Sequence, residues 1–418
     1  MEARRPLPWD SGILVWLSMR LRARCRSLPN ALAYNIAMPE AAPVTNSKSF
    51  YRPELDILRF LAFILVFLAH LLPNEIWSPR GQIAGLSPNV AFRFYTSHHI
   101  SAVGAKLLIA AVGCNTASLN IFFVLSAFLI STLLLREREV SGTVNLQAFY
   151  VRRILRIWPL YFLAIAIGTL WRFVDFSSHL ERRYLIAYLL LAGNWPFVFY
   201  GATSSFIAPL WSVSVEEQFY LAWPLILRRL ARRGMLAFSA GTVVAGVLGV
   251  WFLVARGYPW PEKSTFFQLP SIAVGIVLAC MRPLRLSTAH RILVFLSGAG
   301  VVFASSWAFQ FHGINFSLIP LLDAMGAGLI FVSFLGGSLR NRQLCYLGKI
   351  SYGLYVYHEF CIYLLRKARP WHDATALTEY GLLALLLTFA ISALSYRFVE
   401  TPFLRLKDRL AVVHSRPV

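Results

Sequence analysis

The sequence is short of three things: charge, acid and paired cysteine. Only 14% of its 418 residues are charged and 57% are hydrophobic, where soluble domains carry roughly 25% charge. So few charges cannot cover the surface of a soluble fold of this length. Disordered and fibrous classes are excluded by the same composition. The five cysteines (Cys25, Cys114, Cys280, Cys345, Cys361) are odd in number and scattered, with no C-x-x-C pair. Neither a disulfide framework nor a zinc site is suggested, and no metal is expected. There is no internal repeat, no low-complexity linker and no room for a second soluble domain. Acidic residues number 19 against 40 Lys and Arg, a net charge of +21. In a polytopic membrane protein that excess marks cytoplasmic loops and contact with anionic membrane lipid, so no nucleic-acid partner is expected.

What the chain does have is apolar runs. Spans are expected over 55–72, 118–135, 157–172, 213–227, 235–254, 267–281, 291–309, 316–337, 345–366 and 379–398. An eleventh run, 184–200, has GNWP at its centre, which favours a broken segment. Basic stretches belong on the cytoplasmic side. They are the N-terminal tail, 136–156, the RRLARR of 228–233, 282–291, 340–349 and the tail after 398. Sides alternate correctly for all of them only if 184–200 does not cross. The expected fold is an all-α polytopic membrane protein with about ten transmembrane helices, one re-entrant or interfacial segment and both termini cytoplasmic. Arg182, Arg183 and Arg366–Arg369 then lie outside, against the rule. Residues 1–50 read as a basic tail or interfacial helix, with no clean signal-peptide cleavage site. Met38 is an alternative start, because the strong patterning begins near Phe50. Residues 51–403 form the membrane domain and 404–418 a cytoplasmic tail.

Ionisable residues within spans are costly and tend to face the bundle interior. The first span carries Arg59 and His70, eleven residues apart. At 100° per residue that is close to three full turns, so both lie on one face, about 16 Å apart along the axis. A buried neutral imidazole can serve as a general base near pH 7. An arginine reaching for headgroups and a histidine satisfied by a carbonyl is the bland alternative. Arg153 and Arg156 share a helical face at the start of the third span. They offer paired guanidinium forks for phosphate oxygens, or ordinary positive-inside anchoring. In LWSVSVEEQFYLAWP (210–224), Ser212, Glu216 and Tyr220 follow i, i+4 spacing. The adjacent carboxylates Glu216 and Glu217 could accept a proton, orient a hydroxyl or simply favour a helix N-terminus. In LGKISYGLYVYHEF (347–360), Ser351, Tyr355 and His358 share a face beside Tyr352. That face could line a polar cavity, or hold serine–backbone bonds and interfacial anchors.

At these residues the sequence resembles the acyltransferase type 3 family, which includes bacterial O-antigen acetylases. The resemblance covers about Tyr51 to Phe403 and rests on six motifs in order. They are Arg59-x10-His70, FFVLSAFLIS (122–131), RRILR (152–156), LWSVSVEEQFYLAWP (210–224), LGKISYGLYVYH (347–358) and FVETPF (398–403). Ala127 departs from the family pattern, which commonly has glycine there. The hydrolase-like extracytoplasmic domain of some relatives is absent, so a stand-alone enzyme is expected.

The resemblance implies transfer of an acyl group, often acetyl, from cytoplasmic acyl-CoA (acetyl-CoA) to a hydroxyl of a carbohydrate or glycolipid acceptor, at the bacterial inner membrane. On that basis His70 and Glu216 are the expected catalytic residues, and Arg59, Arg153 and Arg156 bind CoA. Ser212, Tyr220, Ser351, Tyr352 and His358 line the substrate site. Two other outcomes remain open: a transporter or flippase for a lipid-linked sugar, and acylation of an intracellular small molecule such as an antibiotic.

Overall fold

A computed structural model describes residues 51–71, 92–93, 96, 99–175, 178, 180–281, 284–368 and 374–408. The expected basic tail over 1–50 lies outside the described residues, as do residues 409–418 of the expected C-terminal tail. Among the described residues every regular element is a helix. They run α1 Pro53–Leu71, α2 Ala102–Gly113, α3 Thr116–Ser141, α4 Leu146–Leu170, α5 Arg182–Leu189, α6 Trp195–Tyr200, α7 Trp211–Leu227 and α8 Arg232–Ala255. Then come α9 Thr265–Cys280, α10 Thr288–His312, α11 Ile319–Phe334, α12 Arg342–Lys349, α13 Ser351–Ala368, α14 Ala374–Ser395 and α15 Thr401–Asp408.

Among the described residues, six helical stretches are long and apolar enough to cross a membrane: Ala102–Ser141, Leu146–Phe173, Arg232–Ala255, Thr288–His312, Phe316–Phe334 and Glu379–Lys407. The protein is therefore an integral membrane protein. The other four expected spans also coincide with helices. Two of these are disqualified by charge. α1 carries Glu54, Asp56 and Arg59, and α13 carries Glu359, Arg366 and Lys367. The other two, α7 and α9, are short, at 17 and 16 residues. Helix α2, capped by the Ser101 hydroxyl accepting from Gly104 N–H, was not anticipated.

The run at 184–200 is broken into α5 and α6, with Leu191 in the left-handed region (φ 57°) between them. Backbone groups exposed by such a break need protein partners when no water is at hand. Helix α7 supplies them. Gly193 N–H donates to the Ser214 hydroxyl (3.1 Å), and the Gln218 amide donates to the Leu191 carbonyl (3.0 Å) and to Asn194 Oδ1 (2.9 Å). Tyr184 and Tyr188 are fully buried and donate to the Gly201 (2.7 Å) and Ala208 (3.0 Å) carbonyls. The segment is thus fastened to the helix that carries Glu216.

Two close approaches fix helices that border the site. A Cβ on Gly348 would lie 2.0 Å from the Asp56 carbonyl oxygen, so α12 reaches the start of α1 only through a glycine. A Cβ on Gly275 would lie 2.4 Å from the Val124 carbonyl oxygen and 2.7 Å from the Ala127 Cβ. This contact accounts for Ala127: it is fully buried, and the facing glycine leaves room for its methyl. Gly275→Ala forces α9 from α3. Overpacking of this kind costs about 1–3 kcal/mol, so thermal stability of the purified variant falls. Adding Ala127→Gly restores only part of it, because the Val124 carbonyl stays in the way. Full recovery in the double variant would show that the methyl alone sets the spacing.

Candidate active site

Helices α1, α3, α4, α7 and α13 enclose a cavity of about 150 Å³. Eight of the ten expected site residues line it: Arg59, Arg153, Arg156, Ser212, Glu216, Tyr220, Ser351 and Tyr352. Four separate stretches of the chain, at 59, 153–156, 212–220 and 351–352, therefore converge.

The arginines differ in their partners. Arg59 is ion-paired and hydrogen-bonded to Asp56, one turn earlier on α1 and buried. Arg152, the first arginine of RRILR, pairs with Glu137 (2.8 Å), whose other oxygen accepts from Asn145 N–H (3.0 Å). Arg153 and Arg156 form no ion pair among the described residues. The Arg153 guanidinium lies over the rings of Phe149 (5.5 Å) and Tyr220 (5.4 Å), and its Nε is buried without a hydrogen-bond partner. Aromatic faces hold a guanidinium while leaving its N–H groups for another acceptor.

The two adjacent carboxylates part company. Glu216 faces the cavity, accepting from the Ser126 hydroxyl (2.7 Å) on one oxygen and the Tyr220 hydroxyl (3.3 Å) on the other. Glu217 faces α4, accepting from Trp158 Nε1–H (2.9 Å). At the far side of the cavity the Tyr355 hydroxyl donates to the Pro209 carbonyl (2.8 Å) and accepts from the Ser212 hydroxyl (2.7 Å). The Tyr352 hydroxyl donates to the Ile157 carbonyl (3.0 Å), so its expected substrate contact competes with a bond to α4.

The structure does not bring His70 and His358 to the cavity lining. They form a second group, with ring centroids 4.9 Å apart in an edge-on arrangement. Carbonyl oxygens only accept, so both tautomers follow from the bonds. His70 Nδ1–H donates to the Val66 carbonyl (2.9 Å), and His358 Nδ1–H donates to the Tyr355 carbonyl (2.5 Å). In each ring Nε2 is then the unprotonated, basic nitrogen. Tyr355 touches both groups: it lines the cavity and its ring lies 5.4 Å from that of His358. The single face of α1 that carries Arg59 and His70 therefore borders the cavity at one level and meets His358 of α13 at the other. Tyr355 lies on the face expected to line a polar cavity and does line it, whereas Ser126 and Asp56 were not among the expected site residues. Asp56 had a legible signal, three residues before Arg59.

Residues 52–397 match the family model described as an acyltransferase domain, the type 3 acyltransferases, and the chain belongs to that family. A Staphylococcus aureus (strain MSSA476) protein provisionally named an O-acetyltransferase is 25% identical over 400 residues, covering 88% of this chain and 60% of its own. The peptidoglycan O-acetyltransferase OatA of Listeria monocytogenes is 26% identical over 385 residues, with 84% and 56% covered. A Bacillus subtilis protein provisionally named a peptidoglycan O-acetyltransferase is 27% identical over 329 residues, with 68% and 49% covered. The chain thus spans about half to three-fifths of the length of these relatives. No solved structure matches it.

Proposed function

We propose that the protein transfers an acetyl group from cytoplasmic acetyl-CoA to a hydroxyl of a carbohydrate or glycolipid acceptor destined for the cell surface. The observation that carries this reading is the pair Arg153 and Arg156, half-buried at the cavity and, among the described residues, in no ion pair. Cations drawn partly out of water favour an anion that meets them, and CoA is a polyanion. Arg59, already balanced by Asp56, shapes the field of the entrance. The pantetheine arm extends past Ser212 and Tyr355 toward His70. There His70 Nε2 takes the proton of the acceptor hydroxyl. The oxygen attacks the thioester carbonyl carbon, the C–S bond breaks, and the departing CoA sulfur receives the proton from the imidazolium. His358 and Glu216, with Ser351, Tyr352 and Tyr220, orient the two substrates. No metal takes part in the transfer. Relatives named for peptidoglycan O-acetylation support a polymeric carbohydrate acceptor.

In this proposal ten helices cross the bacterial inner membrane, both termini are cytoplasmic, and the broken 184–200 segment stays on the outer side. Ala231, in RRLARR, and Ser204 are both exposed. Single cysteines placed at these positions in a cysteine-free background react with a membrane-impermeant reagent at 204 and not at 231. The reverse pattern overturns this topology. The activity is tested with membranes and radiolabelled acetyl-CoA, and label is expected in the glycan fraction. Label confined to small soluble acceptors would point to the antibiotic-type substrate, and no transfer at all would reject the function.

A further inference from the structure

The His70 and His358 imidazoles have a third neighbour, Glu359. One ligand atom from each of the three lies within 4.8 Å of the others. His358 is fully buried, and among the described residues its Nε2 has no hydrogen-bond partner; neither has the buried Glu359 Oε2. Nearby Arg366 is spent on main chain, donating to the His70 (2.7 Å) and Leu71 (3.3 Å) carbonyls. The cluster therefore gathers two imidazole lone pairs and a carboxylate, all electron donors, around the fully buried His358, with His70 and Glu359 half-buried. Such a gathering favours a shared cation.

The histidine geometry specifies which kind. Imidazoles that ligate metal almost always donate their other ring N–H to a carbonyl or carboxylate, which fixes the ring and its tautomer. Both rings here do so, to Val66 and Tyr355. Two histidines and one glutamate with an open fourth position form a donor set that zinc accepts, whereas magnesium and calcium prefer all-oxygen sets. Zinc–ligand bonds of about 2.0–2.1 Å place tetrahedral ligand atoms about 3.4 Å apart. Side-chain rotation, chiefly of Glu359, covers the remaining gap.

We propose that His70, His358 and Glu359 form a binding site for a zinc-class divalent cation, and that its occupation switches the enzyme off. The metal bonds to the same Nε2 lone pair that His70 needs to accept the acceptor's proton. Binding and transfer are then mutually exclusive. Only the inhibition rests on the role proposed for His70; the binding does not.

The test uses the purified, untagged full-length protein. Isothermal titration with zinc chloride is expected to show one ion bound per chain, and Co2+ in its place gives the visible bands of a tetrahedral site. Zinc inhibits acetyl transfer with a midpoint that matches its Kd, and EDTA reverses it. Glu359→Gln keeps basal transfer while weakening zinc binding and inhibition together, by about tenfold or more. His358→Asn, read by titration alone, weakens binding likewise, so the site stays testable if the Glu359 variant misfolds. Absence of a one-equivalent zinc site in the wild-type protein overturns the proposal. So does zinc binding that both variants leave unchanged. Zinc bound here with transfer undiminished would instead remove His70 as the base while sparing the site.

Discussion

Purified, folded His70→Gln protein transfers acetyl about 10²–10⁴-fold more slowly than wild type, the usual contribution of a positioned general base. Glutamine is the informative replacement. Its side-chain amide can still bond to the Val66 carbonyl that holds the imidazole (2.9 Å), so local packing survives, but it cannot take up a proton near pH 7. His70→Ala loses transfer as well, with CoA binding largely intact, because His70 lies outside the cavity that holds the arginines. If His70 served only to pack α1 against α13, glutamine would be tolerated and lost activity would track lost protein. Near wild-type turnover in His70→Gln would reject the base assignment and leave Glu216 as the next candidate.

Arg153→Ala and Arg156→Ala each weaken acetyl-CoA binding about tenfold to a hundredfold, from a charge-assisted hydrogen bond of about 1.5–3 kcal/mol. Lysine restores part of the affinity. It keeps the charge and loses the planar fork, and at position 153 it also loses stacking on Phe149 and Tyr220. Arg152→Ala is the control. Its guanidinium is committed to Glu137 (2.8 Å), so removing it lowers stability and leaves CoA affinity near wild type. Acetyl-CoA titrations of the three purified variants decide the matter. Unchanged affinity in both Arg153→Ala and Arg156→Ala would end the phosphate-binding role.

Much of this arrangement was legible from spacing alone. Ser212, Glu216 and Tyr220 recur every four residues and do line one cavity; Arg153 and Arg156 three apart do the same. The break in 184–200 was legible from Gly193 and Pro196, which interrupt an apolar run. Local periodicity reports which face a residue occupies and says nothing of which distant helix meets that face. For that reason spacing grouped His358 with Ser351 and Tyr355, whereas the fold sets it beside His70 as well as Tyr355, away from the cavity. The separate duties of Glu216 and Glu217 were hidden likewise, since neighbours on a helix point about 100° apart. Helix number was blurred by function itself: α1 and α13 carry charges that an ordinary span avoids.

Helix α7 wears two faces in alternation. Ser214 and Gln218 grip the broken segment, while Ser212, Glu216 and Tyr220 look into the cavity. A turn of this helix by a few degrees would register at both ends together, as a single shaft drives two gears. A shift in the broken segment would therefore reach the carboxylate of Glu216 through one helix, with no contact between the two.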